Sequence, residues 1–325
     1  MKAIVVSQSG GPEVLEYQDW PEPAPLPDEL LIDVAGIGVN FIDTYHRSGI
    51  YSLPHPFVPG LEGAGVVTGV GAEVAEFAVG DRVAWTGHMG SYAPRIALPA
   101  DKAVRVPQAL TLHEAAGIML QGLTAHYLVT SVYAGKAGDT ALVHAAAGGV
   151  GLLLCQMLSN RGVRVLGTVS TAEKAQAASA AGAAHIIRYD RDDLVEAVMA
   201  ATEGHGVDVV YDGVGKTTFE AGLKCLKVRG MMAIFGQASG PVGSFDPQLL
   251  NDGGSLVVTR PSLTHFTRTP EELRWRSSEV LGDLATGKLT LAIHDSYPLA
   301  EAARAHLDLE SRATSGKLFL FPPQD

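Results

Sequence analysis

The sequence predicts an α/β protein of two domains: a β-rich, barrel-like domain and a doubly wound parallel sheet. Three observations carry that expectation. Residues 140–174, TALVHAAAGGVGLLLCQMLSNRGVRVLGTVSTAEK, read as strand, glycine-rich turn, helix and strand. From there to Thr259 strand and helix patterns alternate, as parallel strands joined by crossover helices do. Residues 1–120 instead hold short alternating runs rich in Gly, Pro and Val. A length of 325 residues fits two such domains.

In the first domain Lys2–Ser7, Glu29–Ile37, Gly63–Val70, Asp81–Trp85 and Ala103–Val106 read as strands. Turn signals such as Pro21-Glu22-Pro23 and Val79-Gly80-Asp81 separate them. Residues 112–134 read as a connecting helix. In the second domain strands are expected near 140, 163, 186, 207 and 230, then at Ser255–Thr259. Helices are expected near 150–161, 172–181, 192–202 and 217–227. After Arg260 come helices near 270–286 and 299–309 and a last strand, Lys317–Phe321. The parallel sheet is complete by then, so this tail is assigned back to the first domain.

Within the 140–174 unit Ala146 takes the first slot of a GxGxxG pattern, and Gly148 and Gly151 take the others. Such a turn brings backbone N–H groups and the positive end of a helix to a pyrophosphate. Gly148, Gly149, Val150 and Gly151 are therefore candidate cofactor contacts. A fold that prefers NAD places Asp or Glu about 20 residues further on, to hold the ribose 2′-hydroxyl. Here that slot falls in Ser170-Thr171-Ala172-Glu173-Lys174. Small hydroxyls and a lysine leave room for an added phosphate. The expected cofactor is NADPH, with Ser170, Thr171 and Lys174 at its 2′-phosphate. The plainer alternative is that Ser170 or Thr171 caps the next helix and Lys174 is solvated. Gly213, Val214, Phe235 and Gly236 join the set, because their turns end the fourth and fifth strands at the ligand-binding edge of such a sheet.

A formal charge of −11 disfavours broad nucleic-acid or acidic-membrane binding. No run reaches the roughly 18 to 20 apolar residues of a membrane span. The segment MKAIVVSQSGGPEV reads as strand and turn, without a signal-peptide layout. Cys155 and Cys225 are the only cysteines, both in apolar helical patterns, which fits free thiols in a cytoplasmic protein.

Further segments are more specific: Asn40-Phe41-Ile42-Asp43-Thr44-Tyr45, Pro59-Gly60-Leu61-Glu62-Gly63-Ala64-Gly65, Gly80-Asp81-Arg82-Val83, Thr259-Arg260-Pro261-Ser262-Leu263 and Glu310-Ser311-Arg312-Ala313-Thr314. With the AAAGGVG turn they make the chain resemble, over nearly its whole length, the medium-chain dehydrogenase/reductase superfamily. Within it the chain resembles the zinc-free quinone oxidoreductases of the ζ-crystallin type. The resemblance implies a GroES-like β-barrel catalytic domain over 1–122 and 264–325, and a Rossmann domain over 123–263. It implies NADPH in the cleft between them and hydride transfer, without metal, to a quinone or related conjugated acceptor. A near alternative is an NADPH-dependent alkenal or enone reductase. An alternative of a different class is a ζ-crystallin-like RNA-binding or structural protein, which the acidic balance disfavours. Zinc members carry Cys and His where this chain has Asn40 and Leu61, and their third ligand falls near Gln121. Asn, Leu and Gln are poor zinc ligands, so no metal is expected.

The same resemblance implies the remaining site residues. Asn40 and Asp43 are expected in a Gly-bounded turn after a strand, beside the nicotinamide or substrate. The alternative for Asn40 is a turn-stabilising hydrogen bond. Tyr45 and Tyr51 offer an aromatic wall for a quinone ring, or ordinary core packing. Gln121 stands where many relatives have Lys. Tyr189 and Arg312 are expected with Lys174 at the 2′-phosphate. Thr124, Tyr127, Ser239, Ser262, Leu263 and Thr264 are implied cofactor contacts. Glu62 is expected to be buried against an Arg in a structural role. Finally, Gly254–Thr259, GSLVVT, is an uncharged apolar edge strand, which points to a homodimer built by pairing it with its two-fold mate; the alternative is that its own chain covers it, through the segment 240–252.

Overall fold

The structure, a computed structural model, describes residues 1–323 and divides into two compact units, Met1–Leu123 with the chain from Thr267, and Thr124–Phe266. In the first unit β1 (Lys2–Val5) pairs antiparallel with β2 (Glu16–Asp19). The spine is β3 (Glu29–Val39), whose Leu30, Ile32 and Val34 are buried while alternate residues are half-buried, the period of a one-faced strand. It leads into α1 (Phe41–Arg47). Next come β4 (Glu62–Val70), β5 (Arg82–Thr86), β6 (Arg95–Pro99) and β7 (Val104–Arg105). After the second unit the chain returns as α8 (Pro270–Ala285), β14 (Ile293–Pro298), α9 (Ala302–Glu310) and β15 (Lys317–Phe321). The sheet order is β14-β15-β3-β4-β5-β7, with β6 also on β3. Leu30, Ile32, Trp85, Tyr92, Leu98 and Leu320 are among its core residues.

The expected turn at Asn40–Asp43 is instead the first turn of α1. Asn40 is its N-cap with extended backbone, and its N–H donates to Asp43 Oδ2 at 2.8 Å. An Asn at the cap and an acid three residues on are a helix start, so a turn-like composition begins a helix here.

The chain passes between the units along α2 (Leu112–Tyr127), which ends in a π-helical turn, Leu128–Val132. The second unit alternates β8 (Thr140–Val143), α3 (Gly149–Asn160), β9 (Arg164–Val169), α4 (Ala172–Ala180), β10 (His185–Arg188) and α5 (Leu194–Ala201). It continues with β11 (Val207–Asp212), α6 (Phe219–Lys224), β12 (Leu226–Ile234), α7 (Gln248–Asp252) and β13 (Val257–Thr259). All pairings are parallel, in the order β10-β9-β8-β11-β12-β13. The strand order reverses beside β8, which places the ends of β8 and β11 at the topological switch point. The last strand starts at Val257 rather than Ser255. Gly254 and Ser255 have φ of 101° and 59°, so they turn the chain into the strand instead of belonging to it. Likewise α6 stops at Lys224, because buried Leu226 already opens β12.

Candidate functional site

In the second unit the turn after β8 is shaped by exclusion of side chains. Ala145 takes φ of 50°, and a Cβ on Gly151 would lie 2.3 Å from the Ala145 carbonyl oxygen. Only glycine lets α3 approach that strand end. The first slot tolerates Ala146 for a reciprocal reason: its methyl fills the space beside Gly167, whose own Cβ would lie 2.8 Å away. Gly148 is the N-cap of α3, and Gly149, Val150 and Gly151 begin the helix, so helix-start N–H groups sit where a pyrophosphate would bind. At the next strand end Asp212 Oδ1 accepts the N–H groups of Val214 and Gly215 at 2.7 and 3.0 Å. A Cβ on Gly236 would lie 2.5 Å from the Gly213 carbonyl oxygen, so the Gly213 and Phe235–Gly236 turns are in close contact. Ser239 braces them: its hydroxyl donates to Val214 O at 2.8 Å and accepts from Thr217 N at 3.1 Å.

No acid follows β9 before Glu173. Thr171 caps α4, its Oγ1 accepting the Lys174 N–H at 3.2 Å, as the plainer alternative had it. The two roles are compatible, because a capped helix start is still an anion site. The Tyr189 N–H donates to Val169 O at 3.3 Å, which brings exposed Tyr189 to the end of β9, where Ser170 follows. Tyr127 is buried and stacks flat on Phe266, with centroids 4.5 Å apart. Thr124 is buried on the same helix. Leu263 and Thr264 lie in a 3₁₀ turn whose His265 N–H donates to Ser262 O at 3.0 Å. In the first unit Arg312 is exposed, with φ of 60°, just past the end of α9. That is the left-handed position that commonly closes a helix.

The first unit holds a buried polar cluster that sequence reasoning only partly found. Glu62 and Lys317 are both fully buried. Lys317 Nζ donates to Glu62 Oε2 at 2.5 Å and to Asn40 Oδ1 at 2.9 Å. Asn40 Nδ2 donates to Glu62 Oε2 at 2.7 Å and to Gly38 O at 3.2 Å, and Leu120 N–H donates to Glu62 Oε1 at 2.7 Å. The partner of Glu62 is therefore Lys317 and not an Arg. The ion pair fits because Gly38 has no side chain: a Cβ there would lie 2.2 Å from Glu62 Oε2 and 2.7 Å from Lys317 Cε. Both amide protons of Asn40 are used, and one lone pair of its oxygen is taken. Asn40 can thus accept one more hydrogen bond but has none left to donate.

Asp43 is also fully buried, beneath the N-cap Asn40. Its Oδ2 accepts from Asn40 N–H and from the Tyr92 hydroxyl, the latter at 3.1 Å. Burial, opposed by the Asn40 hydrogen bond and the Lys317 charge, pushes its carboxyl up to about 7. Tyr45 is nearly buried and meets Tyr51 edge-on at 5.4 Å. Gln121 is buried one residue beyond Leu120, and among the described residues its Oε1 has no hydrogen-bond partner. The same holds for Thr86 Oγ1, directly across the β4–β5 ladder from Glu62. Lys317, Tyr92 and Thr86 were not foreseen. The one available signal was Glu62 itself, a buried acid that requires a cation.

Two family profiles match the chain: "Alcohol dehydrogenase GroES-like domain" over residues 26–134 and "Zinc-binding dehydrogenase" over 149–276. A quinone oxidoreductase of Pseudomonas aeruginosa is 45% identical, over 99% of this chain and 99% of its own. The chain belongs to the quinone oxidoreductase family of the medium-chain dehydrogenase/reductase superfamily. Its architecture is that family's GroES-like barrel with a Rossmann sheet. The solved structure of Escherichia coli quinone oxidoreductase in complex with NADPH superposes with a TM-score of 0.97 at 43% identity, covering 99% of this chain and all of that one. A 2-haloacrylate reductase of a Burkholderia species is 40% identical over 98% of both chains. One matching profile is described as zinc-binding, yet Asn40 and Gln121 offer amides and Leu61 a hydrocarbon. Among the described residues no three His, Cys, Asp or Glu side chains gather as a set that could hold a metal ion.

Proposed function

We propose that the chain is an NADPH-dependent reductase of quinones and related conjugated acceptors that works without metal. The observation that carries this reading is the edge directly after β9, where Ser170–Ala172 hold no acid and Lys174 and Tyr189 lie close by in the fold, at the end of a glycine-turn unit shaped for a pyrophosphate. The cofactor fits the residues present: Gly148–Gly151 line the helix start, Gly213, Val214, Phe235 and Gly236 the neighbouring strand ends, and Thr124, Tyr127, Ser239 and Ser262–Thr264 the remaining contacts. Ser170, Thr171, Lys174, Tyr189 and Arg312 are assigned to the 2′-phosphate. NADPH, when bound, supplies the hydride. Asn40 accepts a hydrogen bond from the ligand through its remaining lone pair, Gln121 offers its amide, and Tyr45 and Tyr51 bound the ring. Asp43 holds Asn40 in place from below.

The likeness to a 2-haloacrylate reductase favours a second reading within the same chemistry, reduction of an activated alkene. A panel of quinones and enones assayed by NADPH consumption separates the two. Quinone reduction that survives exhaustive chelation is expected. Turnover of enones alone would move the assignment to the second reading, and chelator-sensitive turnover would defeat the metal-free one. Two further assignments belong here: a cytoplasmic site of action, supported by buried free Cys155 and Cys225, and no role in nucleic-acid binding, supported by the net charge of −11.

A further inference from the structure

A chain of hydrogen bonds runs under the Asn40 cluster, and its direction is fixed by chemistry. Arg47, at the end of α1, is buried. It grips Glu310 with both arms, Nη2 to Oε1 at 2.8 Å and Nη1 to Oε2 at 3.1 Å. Its Nη1 also meets His306 Nδ1 at 3.1 Å. A guanidinium can only donate, so His306 Nδ1 must accept. The proton of a neutral imidazole then lies on Nε2, which is 2.9 Å from the Tyr92 hydroxyl oxygen. Burial and the Arg47 charge hold His306 neutral by pushing its value down to about 3. Tyr92 accepts from His306, so its single proton is directed to Asp43 Oδ2. Asp43 in turn receives the backbone N–H of Asn40. Arg47 cannot give up its proton, so this is a line of fixed donors and not a path for proton transfer.

The sequence is built around this line. Tyr92 is held by its N–H to Pro59 O at 3.0 Å, and its ring lies where a Cβ on Gly60 would sit, 2.3 Å from the ring edge. That gives Pro59 and Gly60 of the PGLEGAG segment, and Glu310 of ESRAT, a task outside cofactor binding.

We propose that His306 is a positioning residue of the reaction: locked in its Nε2–H tautomer by Arg47, it aims the Tyr92 proton at Asp43 and thereby holds Asn40 on Lys317 and Glu62. This rests on the assignment of Asn40 to the reacting site. Glutamine reproduces the tautomer, with a carbonyl toward Arg47 and an amide N–H toward Tyr92. Leucine reproduces neither. With His306→Leu, and separately with Tyr92→Phe, kcat on a quinone should fall about tenfold, the loss of one directed hydrogen bond. NADPH affinity should stay within about twofold, because Gly148–Gly151 and Ser170–Lys174, assigned to its phosphates, lie in the other unit. The double variant His306→Leu/Tyr92→Phe should be no worse than either single one, and His306→Gln should retain nearly full kcat. ¹⁵N NMR of the histidines should show His306 neutral and protonated on Nε2, a result that stands whether or not quinones are the substrate. A His306→Gln variant as impaired as the leucine one, additive losses in the double variant, or an Nδ1–H tautomer would each overturn the proposal. Should His306→Leu fail to fold, Tyr92→Phe, His306→Gln and the spectrum still decide it. A wild-type enzyme without quinone or enone turnover but with the expected spectrum would instead defeat the functional reading.

Discussion

Lys317 shows most plainly what a residue's surroundings decide. Read along the chain it is the first residue of an apolar strand, KLFLF, and nothing local distinguishes it from a solvated strand end. Only the antiparallel pairing of β15 with β3 brings it against Gly38, Asn40 and Glu62. Two buried charges so placed are strongly interdependent. Lys317→Met strands the Glu62 carboxylate and should destabilise the fold by about 3 to 5 kcal/mol. Lys317→Met with Glu62→Leu should recover most of that. Denaturation midpoints of the two variants check this, and a double variant as unstable as Lys317→Met, or more so, would contradict the recovery. Asp43 gives a pH-dependent counterpart. Its carboxyl is raised from 3.8 to about 7 in the fold. An acid so raised adds no penalty below its unfolded value. It destabilises progressively as pH rises between the two, and fully above the folded one. Relative to Asp43→Asn, which keeps one acceptor oxygen and no charge, wild-type stability should fall with pH from about 4 to 7, at up to about 1.4 kcal/mol per unit. A flat difference across that window would contradict the burial argument.

Elements with strong periodicity were legible, and those decided by tertiary contact were not. The β8–α3–β9 unit declared itself through its glycines and through Val and Leu on both faces of β9. The lack of an acid at Ser170–Ala172, directly after β9, was legible for the same reason, since its meaning depends on spacing alone. By contrast α1 hid in a segment that reads as a turn, because seven helical residues carry too little periodicity to show. The strands β2, β6 and β14 are not legible: β14 is exposed at nearly every position and has no apolar face to betray it. The lone-pair count that limits Asn40, and the burial of Asp43, needed the pairing of distant strands. Gly151→Ala drives a methyl into the Ala145 carbonyl oxygen at 2.3 Å. The turn must open, at about 1 to 3 kcal/mol of stability. NADPH, followed by its fluorescence on binding, should bind at least about tenfold more weakly. Unchanged binding would mean that the turn does not hold the pyrophosphate.

At the scale of the whole molecule the unsettled surface is the open edge of the parallel sheet. Among the described residues β13 pairs only with β12, and Val257 on it is 45% exposed. An uncharged β-branched edge of this kind invites pairing, and a two-fold mate would satisfy both copies at once. Light scattering should therefore give twice the chain mass of 34.0 kDa, and Val257→Asp should give monomer or insoluble protein. A stable wild-type monomer at micromolar concentration would remove the dimer and leave the chemistry untouched. The chemistry itself rests on one cofactor and one class of acceptor. It is tested most directly by kcat/KM for NADPH and for NADH with a quinone as acceptor, in wild type and in Lys174→Ala. Wild type should reduce the quinone and favour NADPH. Lys174→Ala should lose about ten- to a hundredfold with NADPH, the worth of a charge-assisted contact, and almost nothing with NADH. Equal losses with the two cofactors, or a wild-type preference for NADH, would contradict the account.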